Sequence, residues 1–297
     1  MNIFCTGNSG KKNFYNSLSS IIEIANKYNH SIYLDNDFDS RDINVETCSF
    51  ADLKNKKKTC DLVISIGGDG SLLRAIRCMG DFQIPILGVH IGNLGFLNQI
   101  NNDDLYQSLN NLFANDNFTI NHYDLLNARV ESQDKVTDFE LSALNDIVVN
   151  HGNLLRLIKL RVDLDDCYLA EYSCDGIIVS TSLGSTAYSL SAGGPIVSPD
   201  IDSMVLTPVS PHSLSARPIV LKGSSKIELS FIEQYSKISI AADGQEQLTI
   251  NSEMKVIIEK SNIKAKFIQI PSMEDYYSKL KNKLNWLVKI KKYILII

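Results

Sequence analysis

The chain is 297 residues long, 44% of its residues are apolar, and its formal net charge at pH 7 is -5. This length predicts two domains or one large domain, and the apolar fraction is sufficient for a substantial core. The acidic balance argues against a protein whose main task is to neutralise nucleic-acid phosphates, so a nucleic-acid partner is not expected.

The first part of the chain alternates short apolar runs with amphipathic stretches. Strands are predicted at residues 3–6, 31–34, 62–66 and 84–89. Helices are predicted where apolar residues recur at helical spacing, over residues 14–25, 71–79 and 105–113. Because strands that alternate with helices form parallel sheets, we predict an α/β domain with a mostly parallel sheet over residues 1–118.

The rest of the chain has a different pattern. Segments near residues 156–163, 226–231 and 255–259 alternate apolar and polar residues, which is typical of strands with one solvated face. We therefore predict an all-β domain over residues 119–271. A C-terminal helix and tail are predicted over residues 272–297, with the helix packing back on the first domain.

The spacing of the cysteines and the residues at the two chain ends indicate the cellular compartment in which the protein is expected. The six cysteines include no Cys-x-x-Cys pair, so neither a zinc site nor a disulfide framework is indicated. The first ten residues lack a basic segment followed by an apolar run, so no secretory signal is expected. Residues 286–297 are too short to span a bilayer and are predicted to form a docking helix or a frayed tail, so we expect no membrane partner and a cytoplasmic protein.

A glycine turn with one carboxylate follows the third predicted strand. Gly67, Gly68 and Gly70 allow main-chain N–H groups to approach an anion, and the helix that follows adds the positive end of its dipole. The negative charge of Asp69 would repel a phosphate at this turn. Asp69 is therefore interpreted as a proton acceptor for an attacking hydroxyl or as the partner of a bound cation, and both interpretations indicate phosphoryl transfer. An ordinary turn is the alternative.

A second unusual segment is rich in hydroxyl groups. Small residues separate its serines and threonines, which are Ser180, Thr181, Ser182, Ser185, Thr186, Ser189 and Ser191. This density suits close packing around a neutral polar ligand, such as an adenine or a nicotinamide amide, and Tyr188 offers a flat face for a base. The alternative is a loop whose hydroxyls cap its own helix through main-chain hydrogen bonds.

Two smaller polar clusters lie between predicted strands, Asn145-Asp146 and Asp243-Gly-Gln245. Neighbouring amide and carboxylate acceptors match the vicinal hydroxyls of a ribose, whereas each cluster alone is compatible with a simple turn. The five histidines have no metal-ligand spacing, so no metal ligand is predicted.

The order of these motifs along nearly the whole chain resembles that of the ATP-dependent NAD kinases. The resemblance rests on Gly67-Gly-Asp-Gly, residues 92–97, Asn145-Asp146, Asp175-Gly, and residues 184–195. It implies that the chain transfers the γ-phosphoryl of ATP to the 2'-hydroxyl of the adenosine ribose of NAD. It also implies a divalent cation carried with ATP, with Mg²⁺ expected, and a homodimer or homotetramer.

The resemblance assigns roles to individual residues. The proton acceptor of the family corresponds to Asp69. Substrate-binding positions correspond to Gly68, Gly70, Arg74, Asn145, Asp146, Arg156, Ser173, Asp175, Thr186, Ala187, Tyr188, Ser189, Leu190, Ser191, Asp243 and Gln245. The chain departs from the family pattern at three places. Asp146 replaces a usual Glu, Ser182-Leu183 replaces a usual Pro-Thr, and Ser173 stands where some members have a basic residue.

Two other functions remain open at the level of sequence. A lipid kinase of the diacylglycerol type or a sugar kinase shares the Gly-Gly-Asp-Gly turn, but a diacylglycerol site requires large apolar groups in place of the hydroxyl-rich segment. A non-catalytic NAD-sensing module would use the same loops to bind NAD, with Asp69 serving only to form a turn.

Overall fold

The structure, a computed structural model, describes residues 1–38, 45–92, 95–115, 117–132, 136–152, 156–271, 273 and 275–284. The chain forms two compact units. The first contains Met1–Ala75, Ile84–Asn121 and Phe267–Ile297, and the second contains Ile76–Gln83 and His122–Lys266. The predicted tail, residues 286–297, lies outside the described residues. The domain boundaries proposed from the sequence stay a prediction.

Parallel strands and helices build the first unit. In chain order they are β1 (Asn2–Gly7), α1 (Phe14–Lys27), β2 (Ser31–Asp35), β3 (Glu46–Cys48), α2 (Phe50–Lys54), β4 (Leu62–Gly67), α3 (Asp69–Met79), β5 (Ile86–His90), β6 (Ile100–Asn101) and α4 (Leu105–Asn115). Neighbouring strands follow the order β5-β4-β1-β2-β3, with β6 beside β5. Every one of these pairs is parallel, which confirms the predicted α/β architecture.

The sequence explains why these elements form. All six residues of β4 are buried, as expected for a central strand covered on both faces. In α1 the buried residues include Phe14, Leu18, Ile21 and Ala25, which share one face of the helix. The short helix α2 was not predicted, because its 5 residues are too few to show a helical periodicity of apolar residues. Its start has a capping box, in which Ser49 and Asp52 bind each other's main-chain N–H groups.

Antiparallel strands build most of the second unit. They are β7 (Thr119–Ser132), β8 (Val136–Ala143), β9 (Asp146–His151), β10 (Ile158–Leu164), β11 (Cys167–Cys174), β12 (Gly176–Thr181), β13 (Ser203–Val209), β14 (Ile219–Lys222), β15 (Ile227–Phe231), β16 (Ile238–Ala242), β17 (Glu246–Ile250) and β18 (Met254–Gln269). One sheet has the order β14-β13-β12-β9-β16-β17, and β11-β10-β15-β18 are neighbours in another, where β7 pairs with β18 and β8.

One hydrophobic core fills the second unit. Side chains from both sheets contribute to it, among them Ile147 from β9, Val179 from β12, Leu160 from β10 and Val256 from β18. Packing two sheets on a common core is the arrangement of a β-sandwich. The β-rich second half predicted from alternating residues is therefore confirmed. One helical turn, α5 (Tyr188–Ser191), lies inside the hydroxyl-rich segment.

The C-terminal helix α6 (Tyr276–Lys283) packs on the first unit, as predicted. Asp275 caps it by accepting hydrogen bonds from the N–H groups of the first turn. The buried Lys279 donates from Nζ to the main-chain oxygen of Asn98 over 2.9 Å, and Leu280 is also buried. Within the described ranges, no helix is long and apolar enough to cross a membrane.

Candidate active site

Asp69 lies at the carboxyl edge of the parallel sheet in the first unit. It is the first residue of α3 and follows directly on the turn that ends β4, with Gly67 and Gly68 immediately before it. The side chain is half-buried. Main-chain N–H groups in the first turn of a helix point towards the N-terminal end and attract anions. The predicted order of strand, glycine turn and helix around Asp69 is therefore present in the structure, and phosphate binding at this turn stays a prediction.

Four hydrogen bonds fix the carboxylate of Asp69. Oδ2 accepts from the N–H of Phe96 over 2.7 Å. Oδ1 accepts from the side-chain amide of Asn98 over 2.8 Å, from the N–H of Asn98 over 3.2 Å and from the N–H of Leu97 over 3.3 Å. A carboxylate that accepts four hydrogen bonds has a single orientation. The 95–98 loop therefore sets the direction in which Asp69 presents Oδ2, the oxygen that accepts only one of them.

Gly95 provides the space that this carboxylate occupies. A Cβ atom on residue 95 would lie 1.9 Å from Oδ1 and 2.1 Å from Oδ2 of Asp69. Any side chain at this position would displace either the loop or the carboxylate. Residues 92–97 contributed to the family resemblance, but no role was predicted for Gly95. Asn93 and Leu94 of that motif lie outside the described residues.

Arg74 lies in the second turn of α3 and is paired with carboxylates. Its Nη2 donates to Asp37, and its Nη1 lies 3.7 Å from Oδ2 of Asp35. Asp35 is buried and also accepts a 2.6 Å hydrogen bond from the hydroxyl of Thr6. Arg74 was predicted to contact substrate. In this structure its guanidinium binds these two carboxylates.

In the second unit, Asp243 binds three consecutive main-chain N–H groups. Its Oδ1 accepts from Asn145 over 2.7 Å and from Asp146 over 3.2 Å, and its Oδ2 accepts from Leu144 over 3.0 Å. Asp243 begins the tight turn between β16 and β17 and has a φ of 50°, a left-handed conformation that Asp tolerates better than most residues. Burial raises the pKa of Asp243, and the three hydrogen bonds oppose that shift.

Asp146 is buried beside this cluster, with 4% of its surface exposed. Burial, followed by the negative charge of Asp243, raises the pKa of Asp146 to about 7, and a hydrogen bond from the main chain of Tyr188 acts in the opposite direction. Near neutral pH both the protonated and the ionised form of Asp146 are therefore populated. A protonated carboxyl group can donate a hydrogen bond as well as accept one.

Several hydroxyls of the hydroxyl-rich segment bind within the protein. Thr181 donates to the main-chain oxygen of Leu144 over 2.7 Å and accepts from the N–H of Gly184 over 2.9 Å. Ser189 is fully buried, and its Oγ lies 2.9 Å from Oγ1 of Thr207. The alternative interpretation, in which hydroxyls cap the segment's own helix, is therefore met by Thr181, whereas Ser189 bonds to a side chain of β13. The predicted positions nearer the surface are Thr186, Ala187 and Leu190, which are half-buried, and Tyr188 and Ser191, which are exposed.

The hydroxyl-rich segment lies in direct contact with the Asn145-Asp146 cluster. A Cβ atom on Gly184 would lie 2.0 Å from the main-chain oxygen of Asn145. The N–H of Thr181 also donates to that oxygen over 2.9 Å. The fold thus brings Asn145, Asp146, Asp243 and the start of the hydroxyl-rich segment together. In the sequence, Asn145 and Asp243 are almost a hundred residues apart.

The other predicted positions of the second unit are more scattered. Gln245 accepts a 2.9 Å hydrogen bond from Nη1 of Arg77, a residue that the sequence did not single out. Ser173 is half-buried at the end of β11, whereas Asp175 and Arg156 are exposed. Among the residues that the structure describes, no group of three or more His, Cys, Asp or Glu side chains is arranged to hold a metal ion.

Comparison with protein families assigns both parts of the chain. The family model described as ATP-NAD kinase N-terminal domain matches residues 8–118, and the model described as ATP-NAD kinase C-terminal domain matches residues 144–270. The NAD kinase of Clostridium botulinum (strain Loch Maree / Type A3) is 38% identical over 253 residues, which cover 81% of this chain and 88% of the relative. The NAD kinase of Desulforamulus reducens is 39% identical over 225 residues, covering 76% and 77%.

Solved structures share the fold. Yeast NADH kinase, determined in complex with NADH, superimposes with a TM-score of 0.86 at 23% identity and covers 98% of this chain and 89% of its own. An NAD kinase from Archaeoglobus fulgidus, determined in complex with ATP, gives a TM-score of 0.73 at 24% identity and covers 96% and 99%. The architecture of this chain is thus also found in experimentally determined nucleotide-binding kinases.

Proposed function

This chain belongs to the NAD kinase family, and we propose that Asp69 accepts the proton of the hydroxyl that is phosphorylated. The protein is a phosphotransferase with an alcohol acceptor, an NAD kinase. Family membership favours this activity over the lipid or sugar kinase and over the NAD-sensing module. The observation that carries the assignment of Asp69 is its fixed carboxylate at the N-terminus of α3.

The two oxygens of Asp69 differ in their remaining capacity to accept a proton. Oδ1 accepts three hydrogen bonds and Oδ2 accepts one. We assign Oδ2 as the atom that faces the 2'-hydroxyl of the adenosine ribose, because it keeps the larger unused lone-pair capacity. As the ribose oxygen bonds to the γ-phosphorus, the bond from that phosphorus to the bridging oxygen breaks, ADP leaves, and the hydroxyl proton passes to Oδ2.

Most of the rate then comes from alignment. Phosphoryl transfer involves little covalent chemistry by the protein, so holding the hydroxyl in line with the γ-phosphorus is the main requirement. Proton acceptance by a positioned carboxylate adds about 10²–10⁴-fold. The rigid hydrogen bonds from the 95–98 loop serve both needs, because they fix one direction for the carboxylate.

For the second unit we assign the dinucleotide contacts to Asn145, Asp146 and the surface side of residues 186–191. Asp146 is one methylene shorter than the Glu usual in the family, so we propose a weaker or water-mediated bond to its ligand. The remaining contacts stay proposals that rest on the family resemblance. They are Gly68, Gly70, Arg74, Arg156, Ser173, Asp175, Asp243 and Gln245.

The divalent cation is proposed to arrive with ATP. The described residues form no cage of three or more ionisable ligands, and Mg²⁺ is commonly bound through substrate phosphates with only one or two carboxylates. Bound in this way, the cation neutralises charge on the phosphates.

We also propose a cytoplasmic homodimer or homotetramer. All six cysteines are free thiols in the structure, which suits a reducing compartment. The assembly state rests on the family resemblance, and light scattering on the purified protein would measure it directly. A monomer at micromolar concentration would contradict the proposed assembly.

The activity is tested by incubating the protein with ATP, Mg²⁺ and NAD and measuring NADP with an NADP-specific dehydrogenase. We expect NADP to accumulate with ATP consumed in equal amount. Parallel reactions with diacylglycerol vesicles or with free sugars provide the control for acceptor identity. Phosphorylation of either of those acceptors with no NADP formed, or tight NAD binding without turnover, would contradict the proposed function.

A further inference from the structure

A lysine outside every predicted site lies against the glycine turn. Lys11 belongs to the loop that joins β1 to α1, and its main-chain N–H bonds to the oxygen of Asn8 over 3.1 Å. A Cβ atom on Gly68 would lie 3.1 Å from Nζ of Lys11. The ammonium group is therefore in contact range of the main chain that precedes Asp69.

Most of the hydrogen-bonding capacity of the Lys11 ammonium group is unused among the described residues. Its one hydrogen bond among the described residues is a long one, 3.4 Å, to the main-chain oxygen of Ile91. No carboxylate of the described residues lies within 4.0 Å of it, although fourteen other such pairs occur in the same set. An ammonium has three donors, so at least two remain available to a ligand.

The charges around the turn explain why a cation is needed there. Asp69 carries a negative charge at the same turn, and hydrogen bonds from residues 96–98 fix its carboxylate there. His90, at the end of the neighbouring strand β5, is buried, and burial lowers its pKa, so the ring is neutral at pH 7. Lys11 therefore brings positive charge to a position where a phosphate chain would otherwise face a carboxylate.

We infer that Lys11 binds the phosphate chain of the donor nucleotide and offsets its repulsion by Asp69. The inference rests on the proposed function, and it adds a residue to the donor side of the site. The ammonium acts as a point charge with rotatable donors, which suits phosphate oxygens. Lys12 is the matched neighbour, because it follows directly in the chain and is exposed to solvent.

Steady-state kinetics of Lys11→Met, Lys11→Arg and Lys12→Met test this assignment. Loss of a charge-assisted hydrogen bond corresponds to roughly a 10- to 100-fold change in affinity. We expect Lys11→Met to raise the KM for ATP by that factor and to leave the KM for NAD within about twofold. Inhibition by inorganic tripolyphosphate should weaken by the same factor, whereas Lys11→Arg should recover most of both effects and Lys12→Met should match the wild type.

A measurement without variants keeps the test independent of folding and of turnover. Acetylation of lysines in the native protein, followed by mass spectrometry, should show that ATP and tripolyphosphate each protect Lys11 but leave Lys12 reactive. Unchanged labelling of Lys11 at saturating ATP, or an unchanged KM for ATP in Lys11→Met, would overturn the inference. Failure of the proposed function is distinct, because it would appear as absence of NADP formation by the wild type.

Discussion

Both units use a carboxylate to bind three consecutive main-chain N–H groups, but with different surroundings. In the first unit Asp69 binds residues 96–98 and also the amide side chain of Asn98, and it is half-buried. In the second unit Asp243 binds residues 144–146, and burial raises its pKa. The comparison indicates that the same arrangement, a carboxylate bound to three consecutive main-chain N–H groups, serves two tasks. Asp69 is held by a loop, and its proposed task is to present an oxygen to the reacting hydroxyl, whereas Asp243 holds a loop and thereby positions Asp146.

The largest effect is expected where the first carboxylate loses its charge. Asp69→Asn keeps the size of the side chain but cannot accept the hydroxyl proton, so kcat for NADP formation should fall by about 10²–10⁴-fold. The dissociation constant for NAD, measured by calorimetry, should change by less than about threefold. Asp81→Asn, at an exposed carboxylate just after α3, is the control and should behave as the wild type. Turnover of Asp69→Asn close to that of Asp81→Asn would remove Asp69 from the proposed role.

Displacing the first carboxylate without changing it should have the next largest effect. Gly95→Ala places a Cβ atom into the position of the Asp69 carboxylate, and displacements of about 1 Å in a reacting group can reduce rates about 10²-fold. We expect kcat to fall by about 10- to 100-fold. Gly80→Ala is the matched control, because it introduces strain at a positive φ but meets no atom within 4 Å. It should lower thermal stability and leave kcat unchanged, and equal kcat values for both variants would contradict the role of the loop.

The second carboxylate should affect binding more than turnover. Asn tolerates the left-handed backbone conformation of residue 243, so Asp243→Asn should not strain the turn. Its side-chain NH₂ group, however, would face the main-chain N–H groups of residues 144–146 as a second donor. Loss of a hydrogen bond to a charged group costs about 1.5–3 kcal/mol. We expect the KM for NAD to rise about tenfold, with kcat within about threefold of the wild type. Asp200→Asn, at an exposed carboxylate of the same unit, should leave both constants unchanged. A large fall in kcat of Asp243→Asn with an unchanged KM for NAD would mean that Asp243 and Asp69 both act on turnover, which would contradict the difference proposed between them.

The smallest expected effect concerns pH and stability. The folded pKa of Asp146, about 7, lies above its ordinary value of 3.8, so between these values the folded protein retains a proton that the unfolded chain releases. This contribution to stability is complete below about pH 4 and is lost as pH rises through about 7, at up to about 1.4 kcal/mol per pH unit. Urea unfolding at pH 5, 6, 7 and 8 should therefore show the advantage of the wild type over Asp146→Asn decreasing with pH. A constant difference would mean that Asp146 is ionised throughout.

The sequence was sufficient to predict what depends on neighbouring residues. The buried run of β4, the glycine turn and the amphipathic α3 are contiguous, so their order alone predicts a strand, a turn and a helix. Period-two alternation predicted the strands of the second unit for the same reason. The capping box of α2 was also present in the sequence, at Ser49 and Asp52, but the 5-residue helix that it starts is too short to show helical periodicity.

Contacts between distant residues were not predictable from one sequence. The donors for Asp69 come from residues 96–98, and those for Asp243 come from residues 144–146, nearly a hundred positions earlier in the chain. The position of Lys11 beside the turn could not be predicted for the same reason, because a single lysine in a loop belongs to no sequence pattern. Such contacts follow from how strands are ordered in a sheet, and periodicity carries no information about that order.

The last helix has a consequence for how the enzyme is made. Lys279 of α6 donates to the oxygen of Asn98, the residue whose amides hold Asp69. A ribosome synthesises the chain from its N-terminus, so the parallel sheet and the glycine turn emerge well before α6. The carboxylate of Asp69 therefore receives this support only after the chain has been synthesised as far as α6. A nascent chain that has not yet reached α6 can thus contain the entire Gly-Gly-Asp-Gly turn and still lack the bond that supports the Asn98 loop.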